Sequence, residues 1–516
     1  MHNLSPNGRF GANTPAGLKS LLVIRGAGNE LRSGQSDFGS SRCLVPDGGR
    51  QNLRLVISIA LSLLSLLVAG VDSLAQQAPV RAYRSNPADE DWSFLREAAK
   101  TDFWDPVKYI SLGRENRYLT LSGEMRFRPE GFRIRGPEGS PSLIDTYLLQ
   151  RYLFGADLHL SRRFRVFTEV QSGIVSGKLQ SPRPTDLNTV DLHQAFFEWR
   201  QPFGKDRVFG IKAGRQEVTI GSSRLISASA GMNVKRSFDG AVLYYLTSSW
   251  RFHGVAAKLV SISKGVFDDP PDHEQTFWGA AASRRSFLFE QGEFAVSYLS
   301  VDRAQTTYAQ GRGRDQRHTV GIKWSGSGRR GDLNYDAVFQ WGAFNGAPAR
   351  AWAFSTETGY RFVNTRWKPR ISLRADIASG DKDAADPGLQ SFNPLFPGNS
   401  YAGAVGLFGP TNLTDLTPGV TVLPTRSLAL GFEVPSYWRT SSGDGLYSTD
   451  QRVLLLPSIG EGKYVGTNPG IVAIWHTTAH LQFQGAISRF LPGRFLGRTF
   501  VAHGFGFYSL TALYRF

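Results

Sequence analysis

Three groups of side chains have types and spacings that could do chemistry. "SGSG" around Ser327 imitates a nucleophile elbow, and His476 and His480 in "HTTAH" stand four apart, the metal-ligand spacing of a helix. Asp381, Asp383 and Asp386 form a carboxylate cluster of the kind that can hold calcium. Each depends on a support that the surrounding sequence withholds. An elbow needs a buried strand, a sharp turn and a helix, yet Ser327 lies in a turn between two alternating segments. "HTTAH" runs into a strand pattern, and the aspartates lack the full spacing and terminal Glu of a calcium loop. We therefore expect no catalytic residue, no metal and no cofactor.

Charge at every second position is far more abundant. In "LTLSGEMRFR", Leu119, Leu121, Met125 and Phe127 share one face, while Thr120, Ser122, Glu124, Arg126 and Arg128 share the other. That is the period of a strand. It recurs in "RYLFGADLHL", "HTVGIKWSG", "LNYDAVFQW", "WAFSTETGYRF", "ISLRADIA", "HLQFQGAI" and the closing "YSLTALYRF". Parity places Arg126, Arg128, Arg151, Lys212, Lys323, Arg361, Arg374 and Arg515 on the polar faces, together with Glu124, Asp157, Glu169, Glu198, Asp336, Glu357 and Asp376. Two uses fit so balanced a set. One is a ladder of cross-strand ion pairs; the other leaves some guanidinium planes free to grip carboxylates as bidentate forks, which Arg does better than Lys. Arg outnumbers Lys 46 to 13, which favours the second use.

These faces have to be positioned by strands, and a soluble sandwich or propeller would also alternate. Lipid explains more. Aromatic residues gather toward segment ends (Trp324, Trp341, Trp352, Phe362, Tyr514, Phe516) as in interfacial girdles. An Arg or Lys at the bilayer midplane costs about 2–4 kcal/mol, and the charges keep off the apolar face; a one-residue slip would put them all in lipid. The expected fold is all-β, a transmembrane antiparallel barrel over residues 117–516, with short periplasmic turns such as "TSSW" and "SGSGRRGD". Long extracellular loops are expected near Gly173–Val190, Ser263–Thr276, Val301–Arg317 and Ser379–Thr425. Residues 76–116 read as a short periplasmic segment with one helix ending before Pro106.

The first 75 residues read as a leader. "LVISIALSLLSLLVAGV" (Leu55–Val71) follows Arg50 and Arg54 and precedes Ser73 and Ala75, the pattern of a cleaved signal peptide; an uncleaved anchor helix is the alternative. The Gly- and Ser-rich stretch before it should carry no fold, and translation is expected to begin further in. The leader contains Cys43, the only cysteine, so the mature chain should have no disulfide and no thiol chemistry. It also contains seven basic and four acidic residues, so the formal net charge of +16 becomes +13. Export and lipid-facing strands rule out nucleic acid as the partner of this charge.

At this point the chain resembles the alginate export family of outer-membrane barrels. The likeness rests on "LLQRYLFGADL" (Leu148–Leu158), "QAFFEW" (Gln194–Trp199), "AGRQEVTIGSSRLIS" (Ala213–Ser227) running into "NVKRSFDGAVL" (Asn233–Leu243), "ADIASGD" (Ala375–Asp381) and "FNPLFPGNSYAG" (Phe392–Gly403). The resemblance implies about eighteen strands around an Arg-rich lumen that passes a polyuronate. It also implies loops that partly plug the lumen, Ser379–Gly406 among them; a disordered surface loop is the other reading of that stretch. The expected pore-lining residues are Arg126, Arg128, Arg151, Asp157, Glu169, Glu198, Lys212, Lys323, Asp336, Glu357, Arg361, Arg374 and Asp376. The expected place is the bacterial outer membrane. The expected partners are its lipid and lipopolysaccharide, an anionic saccharide or small solute, and a periplasmic export complex. Uptake of small anionic or aromatic solutes through a porin, and an outer-membrane hydrolase, are the alternatives.

Overall fold

The computed structural model describes residues 83–113, 115–134, 142–220, 224–285, 289, 291–398, 406–497 and 499–516. The expected leader, with Cys43 and the Leu55–Val71 run, lies outside the described residues. Among those described, alternation becomes the wall of a closed barrel of eighteen antiparallel staves. They are β1 Tyr118–Ile134, β2 Leu143–His159, β3 Phe164–Ser176, β4 Asn188–Phe203, β5 Arg207–Gln216, β6 Phe238–Leu246, β7 Trp250–Leu259, β8 Gln275–Arg285 and β9 Gln291–Tyr308. The circuit continues with β10 Gly311–Ser327, β11 Gly331–Phe344, β12 Ala347–Arg361, β13 Arg370–Ala378 and β14 Leu413–Val422. Next come β15 (Leu428–Glu433 with Ser436–Arg439) and β16 (Tyr464–Thr467 with Gly470–His476), then β17 Leu481–Pro492 and β18 Phe505–Arg515. β15 and β16 are each broken by two residues, where Pro435 and Pro469 cannot donate to the ladder.

The register puts apolar side chains outside. Phe154, Phe197, Ile371 and Ile487 are 52, 50, 53 and 60% exposed, while the alternate residues are buried or half-buried within. β18 closes on β1, from Glu124↔Arg515 to Ile134↔Phe505. Beyond that ladder Gly123 and Phe516 exchange both backbone bonds at 3.0 Å. The Phe516 ring lies over Gly123, where a Cβ would meet it at 2.1 Å, so only glycine fits under this girdle residue.

The two rims differ. One carries short turns at 160–163, 204–206, 247–249, 328–330 and 477–480; the other carries 177–187, 217–237, 260–274, 379–412, 440–463 and 493–504. Two expected loop boundaries need correction. Val301–Arg317 is strand on both sides of a two-residue turn, Ala309–Gln310, so β9 and β10 run on as sheet. The Ser379–Thr425 loop ends at Asn412, because Leu413–Val422 alternates and pairs with β13. The expected N-terminal helix is also corrected. The segment forms 3-10 turns at Pro87–Asp89 and Ser93–Arg96 and one α-turn, Asp105–Lys108. Pro106 sits in the first positions of that turn and does not follow a helix end, because the missing N–H is unpaired at a helix start in any case.

The long loops fold inward. Ser227 N donates to Phe396 O (3.0 Å) and Phe396 N to Leu225 O (2.8 Å), which joins 217–237 to 379–398. The Phe396 ring packs on Phe238 and Phe277 at 5.4 and 5.3 Å, in a buried cluster with Ile226, Leu299, Phe392 and Leu395. A second cluster joins Phe408, Tyr437, Leu446, Phe490 and Phe495 over the opposite arc. Asp444, fully buried, links the two: it accepts from Ser391 Oγ (2.6 Å), the Asp381 amide (3.0 Å) and Tyr447 OH (2.6 Å).

Candidate functional site in the barrel interior

β1 and β2 present a guanidinium cluster to the inserted loop. Arg126 donates to the carbonyls of Gly231 (3.1 Å) and Met232 (2.8 Å) and to Asn233 Oδ1 (3.2 Å). Arg151 donates to the carbonyls of Ala230 (2.8 Å) and Met232 (2.7 Å), and its Nε to Glu124 Oε1 (2.7 Å); Arg515 takes the other oxygen of Glu124 at 2.8 Å. Arg128 pairs with Glu130 at 2.6 Å and donates to Gly231 O at 3.2 Å. Asn233 holds the loop in place through Gln150, Ile174 and Asp186 carbonyls at 2.9–3.1 Å. Four arginines here meet two carboxylates, and backbone carbonyls of residues 230–232 supply the remaining acceptors.

The other expected positions are spread around the wall. Asp157 and Glu198 share Arg165, whose Nη1 lies 2.9 Å from Asp157 and whose Nη2 donates to Ala88 O at 2.9 Å. Glu169 accepts from Gln194 at 3.1 Å. Lys212 lies 3.9 Å from Asp89, and Lys323 3.5 Å from Glu293. Arg224, from the inserted loop, reaches Asp336 (3.1 Å) and Asp376 (3.9 Å); Arg374 stands 3.6 Å from Asp376 and 3.8 Å from Asp415. Glu357 pairs with Arg370 at 3.0 Å. Arg361 is half-buried at the short-turn rim, with no ion pair among the described residues. The ladder of ion pairs is thus real over much of the wall, and on β1 and β2 several guanidiniums converge on the backbone carbonyls of one loop, residues 230–232.

Several partners were missed. Arg165 was legible, because it has the parity of Glu169 in "FRVFTE". Arg303 and Arg317 were hidden by reading Val301–Arg317 as a loop. They hold the other inward loop, 379–398, through Leu395 O (2.6 Å) and Ser391 O (3.2 Å). The N-terminal segment enters the short-turn mouth, where Ser85 O accepts from Lys235 Nζ at 2.9 Å and Asn86 Oδ1 from Gln194 at 3.1 Å. Its Trp104 stacks on Phe516 at 3.9 Å.

The three opening candidates separate as follows. Ser327 has no hydrogen bond to a histidine or carboxylate among the described residues, and the turn at 328–330 leads into β11, not a helix. His476 ends β16 exposed, while His480 bonds Asp102 (2.9 Å) and the Arg515 carbonyl (2.7 Å), which ties the N-terminal segment to the rim. Asp383 and Asp386 cap the amides of Ala385 and Gly388. Other groups do converge: Glu169, His193 and Glu217, and Asp191, Asp268 and Asp269. In the first, Lys235 already occupies the place of a cation against Glu217. Burial raises the Glu217 carboxyl, but Lys235 and His193 outweigh it and hold it at about 2. In the second, Asp191 accepts the amides of Asp268 and Asp269, and burial beside Asp191 lifts the Asp269 carboxyl to about 6.

The alginate export family model matches residues 117–503. The chain belongs to the alginate export family. No curated protein sequence matches it. Among solved structures, this alginate export family barrel is similar to a BenF-like porin from Pseudomonas fluorescens Pf-5, at 10% identity and TM-score 0.50 over 77% of this chain and 98% of that one. It is also similar to Pseudomonas aeruginosa OpdQ (12%, 0.49, 77% and 97%) and Acinetobacter baumannii OccAB1 (10%, 0.49, 77% and 96%). The protein is an outer-membrane channel, in the lipid of the bacterial outer membrane.

Proposed function

We propose that the channel passes an anionic saccharide chain outward, and that Arg126, Arg128 and Arg151 are the groups its carboxylates meet. The supporting observation is the cluster under residues 230–232, where guanidiniums are held by neutral carbonyls that a polymer can replace. A charge-assisted pair with a carboxylate is about twice as strong as a bond to a neutral carbonyl, so a polyuronate entering from the short-turn mouth favours displacement of the loop. The residues that line the path are then those thirteen predicted positions the moved loop uncovers, chiefly Arg126, Arg128, Arg151, Asp336 and Asp376. Planar-bilayer recording tests this. Polyuronate should block the wild-type current, and Arg126→Gln should weaken that block about tenfold, roughly 1.4 kcal/mol. An unchanged block constant, with a neutral dextran blocking equally well, rejects the reading.

A further inference from the structure

The outer face of the seam carries a feature that conduction does not use. Arg133 on β1, Gly506 on β18 and Arg489 on β17 stand side by side in register. They lie on the lipid side, since Tyr508 and Ile487, two residues further along the same strands, are 36 and 60% exposed. Ile144, the neighbour of Arg133 on β2, is 55% exposed. A cavity of about 190 Å³ opens here, lined by Arg133, Arg489, His503, Gly504, Phe505 and Gly506. Gly506 forms its floor: a Cβ there would come no nearer than 4.0 Å to another residue, the Ser488 carbonyl. Neither guanidinium has an ion pair among the described residues. Two cations without an ionic partner among the described residues, side by side on an otherwise apolar face, call for an anion.

Position along the strand says which anion. Arg133 lies ten residues from Gly123, which carries the Phe516 girdle at the short-turn rim. A tilted transmembrane strand uses about 9–11 residues, so the pair stands one bilayer thickness away, at headgroup level on the long-loop side. Arginine suits phosphate through its planar fork, and the apolar row below suits acyl chains. We propose that Arg133, Arg489 and His503 bind a phosphate of an outer-leaflet glycolipid, whose acyl chains run down over Ile144, Ile487 and Tyr508.

Native mass spectrometry of the folded barrel in neutral detergent, titrated with diphosphorylated lipid A, tests the site. The wild type should retain one lipid A. Arg133→Gln with Arg489→Gln should weaken retention at least tenfold, and Gly506→Val should do the same by filling the cavity with both charges in place. Heat-modifiable gel migration confirms that each variant is folded; if Gly506→Val is not, the double glutamine variant decides alone. Inorganic phosphate at equal concentration should displace little. Retention unchanged in the folded variants, or displacement by inorganic phosphate as effective as by lipid A, overturns the proposal.

Discussion

Two arcs of the inner wall are built from opposite materials. On β1–β4 the inward side chains are charged and buried, held by ion pairs or backbone carbonyls: Glu124, Arg126, Arg151, Asp157, Arg165 and Glu169 are all at most 9% exposed. Along the middle of β15–β18 they are small or neutral, with Ala429, Gly431, Val472, Gln482, Gln484, Ala486, Ser509 and Thr511 each half-buried, and charge stands only toward the strand ends, at Glu433, Arg439 and Arg515. The 217–237 loop leans on the first arc, while this middle stretch of the second stays half-buried. Charge in this barrel therefore serves to anchor the inserted pieces as much as to meet a solute. The wetter surface is the neutral one.

The sharpest way to break this comparison is to strip one member of a buried pair. Arg151→Met should cost about 3 kcal/mol, since removing one partner of a buried ion pair typically costs 3–5 and Arg515 still faces Glu124. Gln484→Met on the opposite arc should change stability by under about 0.5 kcal/mol. Urea unfolding from micelles measures both, and equal losses would abolish the contrast. Phe396→Ala probes the inserted body directly. Truncating a buried Phe costs about 3–5 kcal/mol, shared here between two loops, so amide exchange in 217–237 and 379–398 should quicken while β1 and β18 stay protected. The smallest effect concerns pH. The Asp269 carboxyl is raised to about 6, so its stabilising form is the protonated one, complete below about pH 4 and lost as pH rises through 6. Asp269→Asn should slow exchange in 260–274 at pH 8, by about 1 kcal/mol after allowance for partial exposure, and do nothing at pH 4. A variant effect that grows toward acid would reverse the assignment.

The wall was legible because lipid leaves a two-residue period no latitude: Phe339 and Gln340 face opposite ways, 45% and 4% exposed, as alternation requires. The occupants of the lumen were not. Phe392, Leu395 and Phe396 form a core without any period, and their burial depends on partners more than a hundred residues distant, such as Phe238. Resemblance pointed to Ser379–Gly406 as a plug, and the described part, through Pro397, does fold inward. Nothing local in "RLIS" announced that Ile226 would lie against Phe396. Alternation sets the face of each charge, but the pairings depend on which side chain arrives from a loop, as Arg224 does for Asp336.

One last consequence follows from the tall sheet at β9–β12. There β9 and β10 run for 18 and 17 residues, the hairpins at Ala309–Gln310 and Asn345–Gly346 are two residues each, and the exposed Arg314–Asp302 pair braces the sheet above the bilayer. That quarter of the rim is a fixed parapet with nothing to swing. Whatever gives way must be hinged across from it, so the mouth is off-centre, and whatever the channel conducts passes on the side away from this sheet.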